Sequence, residues 1–375
     1  SPGDTLTIGP GEYYETVMRE NLGSADQETV IRAEIPGTVL LRGDIPAPQF
    51  QKVDGYQFVY GADFDEDGQT QAVYETDTLT ILRSRPDIAS LEFNPGSFFH
   101  DREAKRLYIS TPDLNPVDQH HYRVSVTEAD EPRVHGLELR NARRVVVDGL
   151  AATGFYSRTP GYLSASWGIL LRDARDSVIR NCTAFLNGGG ILFNNNNKEP
   201  SNNVIERCVA YGNYLFYEGE EAGITQYGGS GSLESHNIIR DCLAYRNRMG
   251  IRFYGSFSGP VTTVDCLAWG NWLLDGDLNG AGNESYSMLE NSVALGGFNA
   301  INLTNSLIGG GNTYRSREHE RIRALLETRD NIFLASEMLD QNREFADPQN
   351  YDFRLQSDSR FRKAGTDGSD LGPFP

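Results

Sequence analysis

The chain has 375 residues, 38% of them hydrophobic, with 39 Gly and only 4 Cys, which suits one long repeat array or two compact domains. Its formal net charge of −18 argues against nucleic acid and against anionic membrane surfaces as partners. No apolar run approaches the length of a membrane span.

Residues 1–45 read as opening coils of a β solenoid. Gly11-Glu-Tyr-Tyr-Glu, Thr29-Val-Ile-Arg-Ala-Glu and Gly37-Thr-Val-Leu-Leu-Arg-Gly-Asp alternate apolar and polar residues between turns carrying Pro and Gly. No leader peptide is visible. Ser1-Pro-Gly-Asp-Thr-Leu-Thr-Ile enters the first coil at once and reads as a mature or trimmed end, so the expected location is secreted, periplasmic or cell-surface.

The register then breaks. Residues 46–134 hold strands of another kind, Phe58-Val-Tyr, Ala72-Val-Tyr-Glu, Leu79-Thr-Ile-Leu and Arg106-Leu-Tyr-Ile-Ser, which predict an inserted antiparallel β module. The run from Gly96 to Ser110 predicts a hairpin, two apolar arms around a polar turn.

From Gly136 to Leu307 the sequence repeats itself. Gly136-Leu-Glu-Leu-Arg is answered by Gly168-Ile-Leu-Leu-Arg, Gly190-Ile-Leu-Phe-Asn, Gly223-Ile-Thr-Gln-Tyr and Gly250-Ile-Arg-Phe-Tyr. Each is followed by a second strand and a turn, with Gly149, Cys182, Cys208, Cys242, Cys266 and Ser292 at the aligned position, 24–34 residues apart. Short β segments at such a period, without an amphipathic helix between them, are a solenoid signature. The predicted fold is all-β: a right-handed parallel β-helix over residues 135–355 continuous with 1–45, a helix near 316–328, and a tail over 356–375.

In this reading the turn residue before each aligned position (Asp148, Asn181, Arg207, Asp241, Asp265, Asn291) makes a left-handed bend and bonds along the stack. The cysteines then point inward at about one strand spacing, roughly 4.8 Å, and form a ladder of free, inert thiols rather than two disulfides. Ser316-Arg-Glu-His-Glu-Arg-Ile-Arg-Ala-Leu-Leu has helical apolar spacing at Ile322, Leu325 and Leu326.

The run Leu91-Glu-Phe-Asn-Pro-Gly-Ser-Phe-Phe-His-Asp and the tail Asp352-Phe-Arg-Leu-Gln-Ser-Asp-Ser resemble segments of bacterial β-helix proteins of the pectate-lyase-like superfamily, which act on polysaccharides. Asn271-Trp-Leu-Leu-Asp-Gly-Asp-Leu resembles, in degraded form, the calcium motif of polysaccharide lyase family nine. That resemblance implies Ca²⁺ at Asp275 and Asp277, binding the uronate of a substrate whose C5 proton a lysine removes. Leu274 replaces one carboxylate of the motif, and Asn302, in Ala300-Ile-Asn-Leu, stands in the lysine's place. Two carboxylates are a fraction of the six to eight oxygens Ca²⁺ takes.

A ligand face is expected on the outward positions of each coil's first strand: Glu138, Arg140, Leu170, Arg172, Leu192, Asn194, Thr225, Tyr227, Arg252, Tyr254 and Asn302. Glu138 and Arg140 read as a solvated end. Asn194, Tyr227 and Arg252 are expected one above another, an arginine between aromatic and amide platforms suited to a sugar carboxylate. The loops add Lys198, Tyr217, Glu218, Glu220, Glu221, Arg248 and Trp272.

Three function classes stay open. A lyase would use Arg252, Lys198 or Tyr227 as base. A glycosidase would pair a loop glutamate such as Glu220 with Asp275 or Asp277. The third class is a non-catalytic glycan-binding protein; the expected substrate-binding residues are Asn194, Tyr254, Tyr217, Trp272 and Arg248. The expected partner is an acidic polysaccharide, with calcium as a cofactor, and the expected state is a monomer.

Overall fold

The computed structural model describes residues 1–127, 134–157, 166–195, 201–214, 222–228, 237–255, 261–264, 266–269, 274–277, 287–290, 293–294, 298–299, 302–304, 307–309, 332–334, 341–347, 352–364, 368 and 370. The expected helix near 316–328 lies outside them.

Three parallel sheets stack along one axis, and successive strands of a coil pass from one sheet to the next. The first sheet begins with Val17–Glu20 and continues through Leu137–Arg140, Trp167–Arg172, Gly189–Asn195, Ile224–Gly228 and Met249–Gly255 to Leu274–Asp277 and Phe298–Asn299. The second runs from Thr5–Ile8 to Asn302–Thr304, and the third from Gly11–Tyr13 to Ile332–Leu334. Pairs such as Ile169↔Ile191 and Ile224↔Ile251 hold one register, so like side chains stack on like. Leu139, Leu171, Ile179, Phe193, Ile205, Ile224 and Ile239 fill the interior, each nearly or fully buried. At about 25 cal/mol per Å², this column of apolar area is the main drive for folding.

Each corner of the coil has its own ladder. At the corner between second and third sheets stand Cys182, Cys208, Cys242 and Cys266, all free and buried. The Cys208 amide donates to Cys242 Sγ at 3.5 Å, and the Cys208 thiol to Glu206 O at 3.3 Å. Burial pushes the Cys182, Cys208 and Cys242 thiols well up, as inert packing groups require.

One alignment is corrected by the register. Asp148 pairs with Arg180 and Ala151 with Thr183, so Leu150, not Gly149, heads the cysteine column. Gly149, at φ 74°, takes the left-handed place that Asn181, Arg207 and Asp241 occupy at φ 50–54° in the next coils. Asp148 is the last residue of a strand, and its carboxylate accepts from Asn181 Nδ2 at 2.7 Å.

The other two corners are asparagine-based. Asn187, Asn213 and Asn247 are buried and bonded in series. The Asn187 amide donates to Asn213 Oδ1 and the Asn213 amide to Asn247 Oδ1, both at 3.1 Å. Their side-chain amides donate inward to Ala152 O, Ala184 O and Ala210 O. Ser177, Asn203 and Asn237 repeat the device at the remaining corner. Backbone groups that a tight turn would orphan are thereby paired. The ladder also explains the Gly-Ile signature, because a Cβ on Gly223 would lie 2.5 Å from Asn247 Nδ2.

The insertion forms one sheet of eight described strands, from Asp44–Pro46 to Tyr122–Thr127. The expected hairpin is present as Ser97–Asp101 against Arg106–Ser110. Most pairs are antiparallel, but Thr80–Ser84 and Ser97–Asp101 run parallel. Phe64, Val73, Leu82, Phe98, Leu107, Ile109 and Val124 form a core of its own. A second cluster, Ala72, Tyr74 and Ile81 with Tyr156 and Leu186, binds the module to the outside of the β-helix.

Candidate functional site

Strand period two puts alternate residues of the first sheet outward. The stacking register then sorts them into two neighbouring columns. Arg172, Asn194, Tyr227 and Tyr254 form one. Leu170, Leu192, Thr225, Arg252 and Asp277 form the other. Arg252 is therefore not stacked on Tyr227 as expected but stands one column aside, between Thr225 and Asp277. The shift is two residues along a strand, so both columns keep the same face.

That face is deeper than an open groove. Leu170 and Leu192 join Trp167 and the half-buried Tyr227 in an apolar cluster outside the β-helix core. Thr225 is 3% exposed and Arg252 only 5%, although both occupy outward positions. A charge retained at such depth must be compensated by partners, since desolvating a lone guanidinium is costly. Arg248 is half-buried at the corner above, where its amide donates to Asn213 O and its charge faces the Tyr214 hydroxyl.

The far end of the face departs from the expected solvated surface. Glu138 is buried and holds Arg140 through Nε at 2.8 Å and Arg172 through Nε at 3.2 Å. Burial works to raise the Glu138 carboxyl, but the Arg140 guanidinium, with charge from His135 and Arg172, keeps it below the ordinary range. Arg172 is thus already committed to a carboxylate of the chain itself.

Asn302 is also relocated. It pairs with Met288 in the second sheet, while Asn299 takes the place beside Asp277 in the first. The residue standing for the family-nine lysine is therefore on a different sheet from Arg252. Lys198, Tyr217, Glu218, Glu220, Glu221 and Trp272 lie outside the described residues, as do the side chains of Tyr254, Asp275 and Asp277.

The calcium expectation rests on Asp275 and Asp277, of which the structure describes the backbone register. Asp277 has Arg252 on the preceding strand and Asn299 on the following one, and the preceding strand offers a glycine, Gly250, one step before Ile251, which pairs with Gly276. Ca²⁺ takes six to eight oxygens, and the backbone register sets Arg252 and Asn299 on the strands flanking Asp277. Among the described residues no group of three acids, histidines or cysteines is arranged for a metal.

A second polar constellation lies in the insertion and has no sequence motif. Antiparallel pairing sets Tyr122 opposite Glu75. His120 then bonds Asp77 through Nδ1 at 2.8 Å and Asp113 through Nε2 at 3.2 Å, with Glu75 3.7 Å from Nδ1. Glu75 is buried and also accepts from Thr78 and Tyr122. The Asp77 hydrogen bond, then the Glu75 and Asp113 carboxylates, hold His120 above its ordinary value against a partial desolvation penalty. Both ring nitrogens are occupied, so this cluster ties loops together rather than offering a free base. Only strand pairing brings residues 43 positions apart into contact here.

Residues 120–235 match the family described as a right handed beta helix region, less than half of the chain. A search of curated proteins found no match. Among solved structures, pectate lyase Pel9A is 12% identical over 100% of this chain and 88% of that one, with a TM-score of 0.45. A complex of XylC with xylose is 13% identical over 89% and 78%, with a TM-score of 0.42. A glycoside hydrolase is 9% identical over 96% and 92%, with a TM-score of 0.41. Fold does not carry function, and none of these likenesses assigns a reaction. The stacked parallel sheets and the matched region together make this chain a right-handed parallel β-helix, the architecture expected from the repeats between Gly136 and Leu307.

Proposed function

We propose that the chain is a carbohydrate-active enzyme that cleaves an acidic polysaccharide by β-elimination on the outer face of its first sheet. The observation that carries this reading is the register placing Arg252 between Thr225 and Asp277, one column from Asn194, Tyr227 and Tyr254. Arginine forks onto a carboxylate, while hydroxyls, amides and ring faces suit the remaining sugar surface.

In the proposed step Arg252 binds the uronate carboxylate and withdraws charge from C5. Tyr227, on the adjacent column, acts in this step as the phenolate, accepting the C5 proton and becoming the neutral phenol. The electrons of the C5–H bond form the C4–C5 double bond as the C4–O bond breaks, and the departing oxygen takes a proton from water. No step is routed through a metal. The enzyme is proposed to work as a monomer outside the cytoplasm.

The test is incubation with uronate-containing polysaccharides, following ultraviolet absorbance of unsaturated uronate and new reducing ends together. Equal growth of both supports elimination. Reducing ends without absorbance would mean hydrolysis, and binding without either would leave a glycan-binding protein.

A further inference from the structure

An aromatic shelf lies on the insertion, on the sheet face opposite its own core. Phe99 pairs with Tyr108 across the hairpin, and Tyr108 pairs in turn with Gly61 of the next strand. Their neighbours Phe98, Leu107 and Ile109 fill the insertion core, so the period of two turns Phe99 and Tyr108 the other way. Both are half-buried.

The two rings lie in planes 11° from parallel with centroids 6.2 Å apart. In the ring ladder outside the third sheet, Phe185, Tyr211 and Tyr245 stack more closely, at 5.0 and 5.1 Å. The wider spacing offsets Phe99 from Tyr108, so neither covers the face of the other. A Cβ on Gly61 would come 2.8 Å from Tyr108 Cδ1, so glycine there lets the ring lean across its strand. Ring faces carry negative potential and attract the C–H groups on the apolar side of a sugar.

Two arginines of different status border the shelf. Arg106, two residues from Tyr108, holds Asp63 at 2.8 Å. The Arg85 amide donates to Phe98 O at 2.8 Å, which continues the Arg83↔Ser97 register and sets half-buried Arg85 beside Phe99. Among the described residues no carboxylate pairs with its guanidinium, and its Nε is buried without a hydrogen-bond partner. Acids of the nearby turns are committed to backbone amides, Asp87 to Ser90 at 2.8 Å, Asp101 to Ala104 at 2.9 Å and Glu92 to Phe58 at 2.9 Å. Desolvating a guanidinium without an anion is costly, and this one stays unclaimed in a chain of net charge −18. Arginine beside an open ring suits a carboxylate carried on a sugar.

We propose that this shelf binds one uronate unit of a polysaccharide chain, its ring against Phe99 and Tyr108 and its carboxylate on Arg85. The site is separate from the face around Arg252 and does not depend on the reaction there. It would hold an acidic glycan to the insertion at lower affinity than that face.

The test is NMR on the intact chain, by saturation transfer and by the Phe99 and Tyr108 ring resonances. Methyl glucuronoside stands in for an in-chain uronate, and methyl glucoside is its neutral counterpart. Methyl glucuronoside is expected to shift both rings and to bind at least about tenfold more tightly than methyl glucoside, the scale of one charge-assisted contact. Arg85→Gln should weaken it at least about tenfold while melting as the wild type does, because no ion pair is lost. Arg252→Ala should leave the ring shifts unchanged, which separates this site from the proposed lyase face. Unshifted Phe99 and Tyr108 rings, equal binding of methyl glucoside, undiminished binding by Arg85→Gln, or loss of the ring shifts in Arg252→Ala would each overturn it.

Discussion

Arg252 and Asp277 are Cα partners on neighbouring strands of the first sheet, so a cation and an acid occupy consecutive places in one outward column. Arg172, on the same face, is instead held by Glu138 of its own neighbouring coil. The Glu138 carboxylate already occupies the Arg172 guanidinium. Arg252→Ala should weaken acidic-glycan binding or turnover by about one to two orders of magnitude, the loss of charge-assisted hydrogen bonds worth about 1.5–3 kcal/mol. Arg172→Ala should do far less. Equal small effects in binding assays, with circular dichroism unchanged, would place the ligand elsewhere.

The asparagine ladder predicts a large cost from one polar side chain. Asn213 accepts from the Asn187 amide and donates to Ala184 O and Asn247, all in the buried interior. Asn213→Ala should destabilise the chain by about 3 kcal/mol or more, since at least two buried backbone groups lose partners. Urea unfolding measures this, and a shift below about 1 kcal/mol would show that water replaces the ladder.

Gly223→Ala tests the same corner from the other side. The added methyl would collide with Asn247 Nδ2 and press on Ala210 Cβ at 3.1 Å. Overpacking of this kind costs about 1–3 kcal/mol. The melting temperature should fall, whereas Gly37→Ala, where a Cβ meets nothing within 4 Å, should act only through its left-handed backbone at φ 80°.

The four thiols should be silent toward a thiol reagent in the folded protein at neutral pH and react only on unfolding. Each is buried, and burial holds three of them well above the ordinary thiol range. Stability should also be unchanged by a reducing agent. Reaction of a native thiol within minutes would contradict the packed ladder.

His120 predicts a pH signature in the insertion. Its folded pKa is raised by Asp77, Glu75 and Asp113, so the protonated ring stabilises the fold. That stabilisation is fully present below the unfolded value near 6.5 and is lost as pH rises through the higher folded one. Thermal unfolding should therefore show stability falling as pH rises past the unfolded value, a step absent in His120→Gln. A flat profile in both proteins would remove the charge from the clamp.

The solenoid was legible because its physics is periodic. Stacked coils demand the same residue type at the same turn, and the recurring Gly-Ile and Cys positions display that demand directly. The asparagine corners were equally visible, five residues after Cys182, Cys208 and Cys242, as Asn187, Asn213 and Asn247. Their fixed offset was the signal that would have found them.

What the linear chain could not decide is everything set by register and by distant pairing. The coils differ in length, so an alignment of repeats slips by a residue, as it did at Gly149 and Leu150. The Arg252 column, by contrast, was legible, since the aligned Gly223 and Gly250 repeats set Arg252 opposite Thr225 and Tyr254 opposite Tyr227. His120 meets Asp77 and Glu75 only through strand pairing within the insertion, and Tyr74 meets Tyr156 only where the insertion packs on the β-helix. Repetition writes local geometry into sequence; contacts between units that do not repeat depend on how whole surfaces fit, and only the tertiary structure contains that.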